Sequence, residues 1–224
     1  MKTKYHSILF STPMVQAILE DRKTQTRRTK GLEEINKNSD DWRLLNSFDK
    51  PEDDQTAFYI RNNNLYVQFT NGHKNLDIKC PYNVDDVFWV RETSHDVLDS
   101  ETLEFLRYGY KANNDYPGAK WRPSIFMPKE ACRIFLKIKS IRIERLQEIS
   151  EEDAIAEGAK NRLKHNDLKV LEGLRGWPIP RPFLEHQFGF LAVWCTINGC
   201  DNWIQSPFVW LYEFERIEKP LDFC

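Results

Sequence analysis

Ile18-Leu19-Glu20-Asp21-Arg22-Lys23-Thr24-Gln25-Thr26-Arg27-Arg28 begins as one kind of element and ends as another. Just upstream, Met14, Ala17 and Ile18 recur at i, i+3 and i+4, which predicts one apolar face of a helix. From Lys23 onward the period changes. Thr24, Thr26 and Arg28 would line one side of an extended strand. The reading is a helix that runs straight into a strand. Arg22, Lys23, Arg27 and Arg28 crowd the junction together with the two hydroxyls. One account is a solvated charge run that offsets the negative end of the helix dipole. The other is a site for an anion or polar ligand, because Lys-Thr-x-Thr-x-Arg sets amine, hydroxyl and guanidinium side by side.

The rest of the chain bounds these accounts. Its 224 residues suffice for a sizeable core, and a hydrophobic fraction of 41% is globular rather than disordered. A net charge of −2 leaves no global basic field, so nucleic-acid contact needs a local patch, for which 22–30 is the best candidate. No apolar run approaches the ~20 residues of a membrane span, and no signal-peptide core follows the N-terminus, so the expected location is the cytoplasm. The five cysteines are odd in number and not tightly paired, as expected of reduced thiols. Cys195-x4-Cys200 is a poor zinc spacing, and neither metal nor other cofactor is expected.

Along the chain, Ile8-Leu9-Phe10 reads as a strand, and Thr12-Pro13 as the cap and first position of a helix reaching Asp21. Residues 31–78 read as an insertion holding a hairpin of Phe58–Ile60 with Leu65–Phe69 across an asparagine turn. Val87–Glu92 is a strong strand, and the Arg91-Glu92 pair stands where the mouth of a barrel would be. Residues 121–128 form a proline-bounded loop in which Arg122 and Ser124 are candidates for anion contact. Arg133–Arg145 is the longest strand, with a shift of phase at Ser140 that predicts a bulge or bend, and with a basic stripe of Arg133, Lys137, Lys139, Arg142 and Arg145. Ser150 caps an acidic helix that Gly158 ends, which puts Glu157 in the last turn, where the dipole disfavours a carboxylate. A second insertion, 159–182, closes in the stiff Trp177–Pro182 connector. Phe183–Ile197 reads as a helix, and Phe208–Phe214, apolar on both faces, as a central strand.

This order resembles the ASCH superfamily, carried by Ile18–Arg28, Asp86–Glu92, Ile134–Gly158 and Phe208–Phe214. It is most similar to longer phage- and prophage-type members, through 10–14, 121–124 and 150–154. The resemblance implies one α+β domain over 1–224, a PUA-like β-barrel with flanking helices and the two insertions. It also implies a nucleoside or single-stranded RNA as partner. One branch, the bacterial N4-acetylcytidine amidohydrolases, uses a Lys–Thr–Glu triad. Its members fall by motif on Lys23 as base, Thr26 as nucleophile and Glu157 as the carboxylate that holds the lysine and relays a proton. Arg22, Thr24, Arg27, Arg28, Glu92, Arg122 and Ser124 are then the substrate-contacting candidates, with Arg27 or Arg28 on the oxyanion. Two other readings stand beside this one. The same cations and the stripe would serve a non-catalytic RNA or modified-base binder, or a single-strand ribonuclease. The phage-like resemblance also fits a structural or assembly accessory.

Overall fold

The strands of this chain appear where β-branched and aromatic residues run together, and short helices fill the connections. A computed structural model describes residues 3–45, 58–113, 118–160 and 185–223. In chain order the elements are β1 (Tyr5–Leu9), α1 (Thr12–Leu19), β2 (Gln25–Arg28), α2 (Glu33–Asn36), β3 (Arg43–Leu44), β4 (Phe58–Arg61), β5 (Asn64–Thr70), β6 (Asn75–Lys79), β7 (Val87–Arg91), β8 (Ser94–Leu98) and β9 (Phe105–Tyr110). They continue with β10 (Phe135–Arg145), α3 (Glu151–Ala156), α4 (Glu185–Asn198), α5 (Cys200–Ile204) and β11 (Phe208–Ile217). The class is mixed α+β, as expected. The described strands lie in open sheets, and no barrel closes among the described residues.

The residues group into two compact units. Unit 1 comprises Met1–Thr24, Asp85–Lys139 and Phe214–Cys224. In it β1 runs parallel to β7, and β7 pairs antiparallel with β10 through Phe135↔Trp89. Its core joins Val87, Met127, Ala131, Cys132, Phe135 and Phe223. The expected alternation in β7 holds. Phe88 and Val90 are fully buried, Glu92 follows them inward, and Trp89 and Arg91 are half-exposed on the other face.

Unit 2 comprises Gln25–Val84 and Ser140–Glu213. In it β11 pairs antiparallel with β2, with Trp210↔Arg28, Leu211↔Arg27, Tyr212↔Thr26 and Glu213↔Gln25 in register. The expected hairpin is present as β4 and β5, and β5 also pairs with β3 and β6. Asn62 (φ 51°) and Asn63 (φ 58°) make its turn, since asparagine tolerates the left-handed backbone that a two-residue hairpin demands. Helices α3, α4 and α5 share one core with Leu146 and Val209, in which Trp203 of α5 is fully buried.

Several expectations shift in detail. The N-cap of α1 is Ser11 rather than Thr12, and its buried face is Val15, Ala17 and Ile18, with Met14 half-exposed. In β10 the buried positions pass from Leu136 and Ile138 to Ile141 and Ile143, the predicted change of phase. Helix α4 buries Phe190, Leu191, Trp194 and Cys195, whereas Ile197 is 56% exposed. Phe183, the 177–182 connector and most of the 159–182 insertion lie outside the described residues, as do 46–57 of the first insertion.

Candidate functional site

The predicted passage from helix to strand is made by one strained residue. Asp21 takes a left-handed backbone (φ 54°), and the Arg22 and Lys23 N–H groups both donate to the Ala17 carbonyl, at 2.8 and 3.0 Å. This stops α1 and turns the chain. Lys23 is thereby buried in unit 1, with its ammonium 5.6 Å from the centre of the Phe10 ring. Arg22 stays at the surface and donates to Glu20, and Thr24 is exposed.

In unit 2, β2 carries two chemistries on two faces. Directly opposed residues of an antiparallel pair share a face. Gln25 and Arg27 therefore lie with Glu213 and Leu211, and Thr26 and Arg28 lie with Tyr212 and Trp210.

The first face is an ion network. Arg27 has a fully buried side chain and donates from Nε to Glu144 (2.8 Å), from Nη2 to Asp153 (2.8 Å) and from Nη1 to Glu157 (3.1 Å). Gln25 Nε2 donates to the Asp153 carbonyl and carboxylate, at 2.9 and 3.1 Å. Arg142 reaches Asp153 and Glu213, at 3.3 and 3.2 Å. Helix α3 sets two of the acids. Ser150 Oγ accepts from the Asp153 N–H, as predicted, and Glu157 is the C-cap, closed by Gly158 at φ 78°. Burial opposes the Arg27 charge, yet Glu157, Glu144 and Asp153 outweigh it and hold its pKa above the ordinary value. Glu144 moves up as well, against what one ion pair would do. Burial outweighs the attraction of Arg27, and Asp153 repels it.

The upward shift of Glu144 makes a prediction. A carboxyl whose folded pKa is raised contributes stability that is fully present below its unfolded value and is lost as pH rises through the folded one. Glu144→Gln should therefore be close to neutral at pH 7, within about 1 kcal/mol. As pH falls toward the ordinary value of 4.5, wild type should gain on the variant. Urea unfolding across pH 4 to 7 checks this, and a wild type that loses ground on acidification would refute it.

The second face has a buried floor and a half-exposed rim. Trp210 and Tyr212 are fully buried, and Thr26 is 3% exposed. Arg28 and Tyr82 are half-exposed. Tyr82 meets Tyr212 edge-on with ring centres 5.3 Å apart, and Tyr212 Oη lies 3.7 Å from Cys80 Sγ. Burial presses the Arg28 pKa down, partly countered by Glu157, Tyr82 and Tyr212, and burial raises Tyr82 and Tyr212. Among the described residues the Thr26 hydroxyl takes no hydrogen-bond partner.

The remaining candidates belong to unit 1 and are mostly committed elsewhere. Glu92, 1% exposed, accepts two bonds from Arg133, at 2.8 and 3.0 Å, and that guanidinium lies 3.9 Å over the Tyr110 ring. Arg122 exchanges backbone bonds with Ser94 and pairs with Asp96, beside an open groove of about 650 Å³ that His95, Leu98 and Lys120 also line. Ser124 opens a short 3-10 turn. The basic stripe of β10 is matched acid for base: Arg133 with Glu92, Lys137 with Asp85, Lys139 with Glu215, Arg142 with Glu213, and Arg145 with Asp40.

Sequence reasoning missed Glu144, Asp153 and Tyr82 as members of these arrangements. A lone acid in a basic strand was the available signal for Glu144. Asp153 was masked by its equally good reading as a helix-start acid. Compared with protein-family models, curated proteins and solved structures, the chain matches none.

Proposed function

We propose that this chain acts on a nucleoside or on single-stranded RNA. In its sharpest form it hydrolyses the amide of an N4-acylcytidine-type nucleoside. The observation that carries the reading is Thr26, a residue 3% exposed that shares one strand face with Arg28 and whose hydroxyl is not tied up in a hydrogen bond among the described residues. A hydroxyl that the fold's own hydrogen bonds do not use is available to a ligand as donor and acceptor.

In the reaction, Thr26 Oγ1 adds to the acyl carbon as Lys23, the base assigned by the family resemblance, takes its proton. Arg28 faces the developing oxyanion, because Arg27 is saturated by three carboxylates. The C–N bond breaks, the N4 amine leaves with a proton, and water cleaves the threonyl ester to release the acid. Glu157 is held by Arg27 and serves as the anionic member of the set. The burial of Lys23, at 2% exposure, supports a chemical role over a surface one. The acid-for-base matching of the β10 stripe favours a small ligand over a long phosphate backbone, since little net positive field remains there.

Incubation of the purified protein with N4-acetylcytidine should release cytidine, followed by chromatography. Lys23→Arg keeps the charge but not a titratable base, and should abolish release. A folded wild-type protein that releases no cytidine would overturn the hydrolytic form. Binding of single-stranded RNA that weakens steeply with salt, and only mildly with Lys23→Arg, would then mark a binding module.

A further inference from the structure

Two cysteines meet at one corner of unit 2. Helix α4 ends at Asn198, and the Gly199 N–H donates back to the Cys195 carbonyl at 2.9 Å. Gly199 takes a left-handed backbone (φ 85°) that a side chain would strain, and α5 starts at once with Cys200. The turn brings α5 back against α4. Trp194 Nε1 donates to Asn202 across it at 2.9 Å, and Phe190 meets the fully buried Trp203 with ring centres 6.1 Å apart. Cys195 and Cys200 thereby join the same core cluster from two helices, and the Cys195 thiol donates a hydrogen bond to Cys200.

The two thiols differ in what can reach them. Cys195 is 7% exposed, and burial pushes its pKa up, so it keeps its proton. Cys200 is only partly buried and is open to a small reagent. One accessible thiol with a second in hydrogen-bond reach behind it is the arrangement of an attacking and a resolving cysteine. Cys80 and Cys132 offer a contrast within the same chain. Both are buried, and burial pushes the Cys132 thiol up to about 11.

We infer that Cys195 and Cys200 form a reversible thiol–disulfide site, oxidised by a small disulfide of the glutathione type. The Cys200 thiolate attacks one sulfur of the small disulfide and expels the other as a thiolate. The Cys195 thiol then gives up its proton, attacks the Cys200 sulfur and expels the second small thiolate. One protein disulfide has formed, each cysteine has lost one electron, and two small thiols leave with the two cysteine protons. An excess of small thiol runs the same steps backward. The bond ties α4 to α5 at the corner behind Phe190, whose ring centre lies 5.6 Å from the Arg27 guanidinium carbon. This site is independent of the nucleoside reading.

The test equilibrates the folded, full-length protein with oxidised glutathione at mildly alkaline pH, alkylates the remaining thiols, and maps the unreduced digest by mass spectrometry. In wild type the peptide that holds both Cys195 and Cys200 should lose the mass of two hydrogens and take up no alkyl group, while Cys80 and Cys132 stay reduced. Dithiothreitol should restore two alkylatable thiols to that peptide. Cys195→Ser should stop at the first step, with glutathione retained on Cys200. Cys200→Ser should leave Cys195 reduced, because the buried thiol has lost its accessible partner. The wild-type map decides the question even if a variant does not fold. Wild-type protein in which both cysteines are alkylated, or in which Cys200 keeps its glutathione, would overturn the inference. So would a disulfide that joins either cysteine to a different one.

Discussion

Arg27→Ala is expected to destabilise the protein by about 3–5 kcal/mol in urea unfolding at pH 7. The side chain is fully buried and is the shared partner of Glu144, Asp153 and Glu157. Removing it leaves three carboxylates facing one another, with Arg142 in contact with Asp153. It also opens space beside Phe190, whose ring centre lies 5.6 Å from the guanidinium carbon. Arg27→Lys should fall between wild type and alanine, because an ammonium keeps the charge but cannot fork to three acids. The pH dependence has a definite sign. The folded pKa of Arg27 is raised above the ordinary guanidinium value, so its contribution is present at all lower pH and is lost only as pH rises through that raised value. In the alanine variant the crowded acids take up protons more readily in the folded state. Its deficit should therefore narrow as pH falls toward the carboxylate range. A loss under 1 kcal/mol for Arg27→Ala would show that the network is not what holds β2 to α3.

Thr26→Ala is expected to lower cytidine release from N4-acetylcytidine on the order of a thousandfold or more, because in the proposed reaction Thr26 supplies the attacking oxygen. Stability should change little, by about 1 kcal/mol, since the hydroxyl has no protein partner to lose and only a small apolar group goes. Thr26→Ser restores the oxygen and should recover most of the release. The two variants distinguish chemistry from packing. If alanine turns over as fast as wild type, Thr26 is a core residue and the hydrolytic reading fails with it.

The strands were legible because their period and residue types agree. Phe88–Arg91 alternates inward and outward as written, and the Asn62–Asn63 turn is dictated by backbone sterics that few residues tolerate. The Ser150 cap was legible for a similar reason, since a hydroxyl three residues before the N–H it accepts is a local event. Boundaries were less so. Met14 and Val15 are both apolar, and only packing chose Val15 for the core of α1. Helix α4 is apolar nearly all round, so its sequence did not say that Ile197 would face outward.

The site divides along the same line. Local order determined that Lys23 follows a helix end, that Thr26 and Arg28 share a strand face, and that Glu157 closes a capped helix. Each of these depends on neighbours within a few residues. Only the tertiary structure decided what those side chains meet. Arg27 and Arg28 are adjacent and chemically identical, yet one is bound by three acids drawn from β10 and α3, and the other borders an aromatic floor drawn from β11. Successive strand residues point to opposite sides, so their fates diverge completely once the partners of each side are in place. Those partners lie more than a hundred residues away in the chain, at separations where no local pattern carries information.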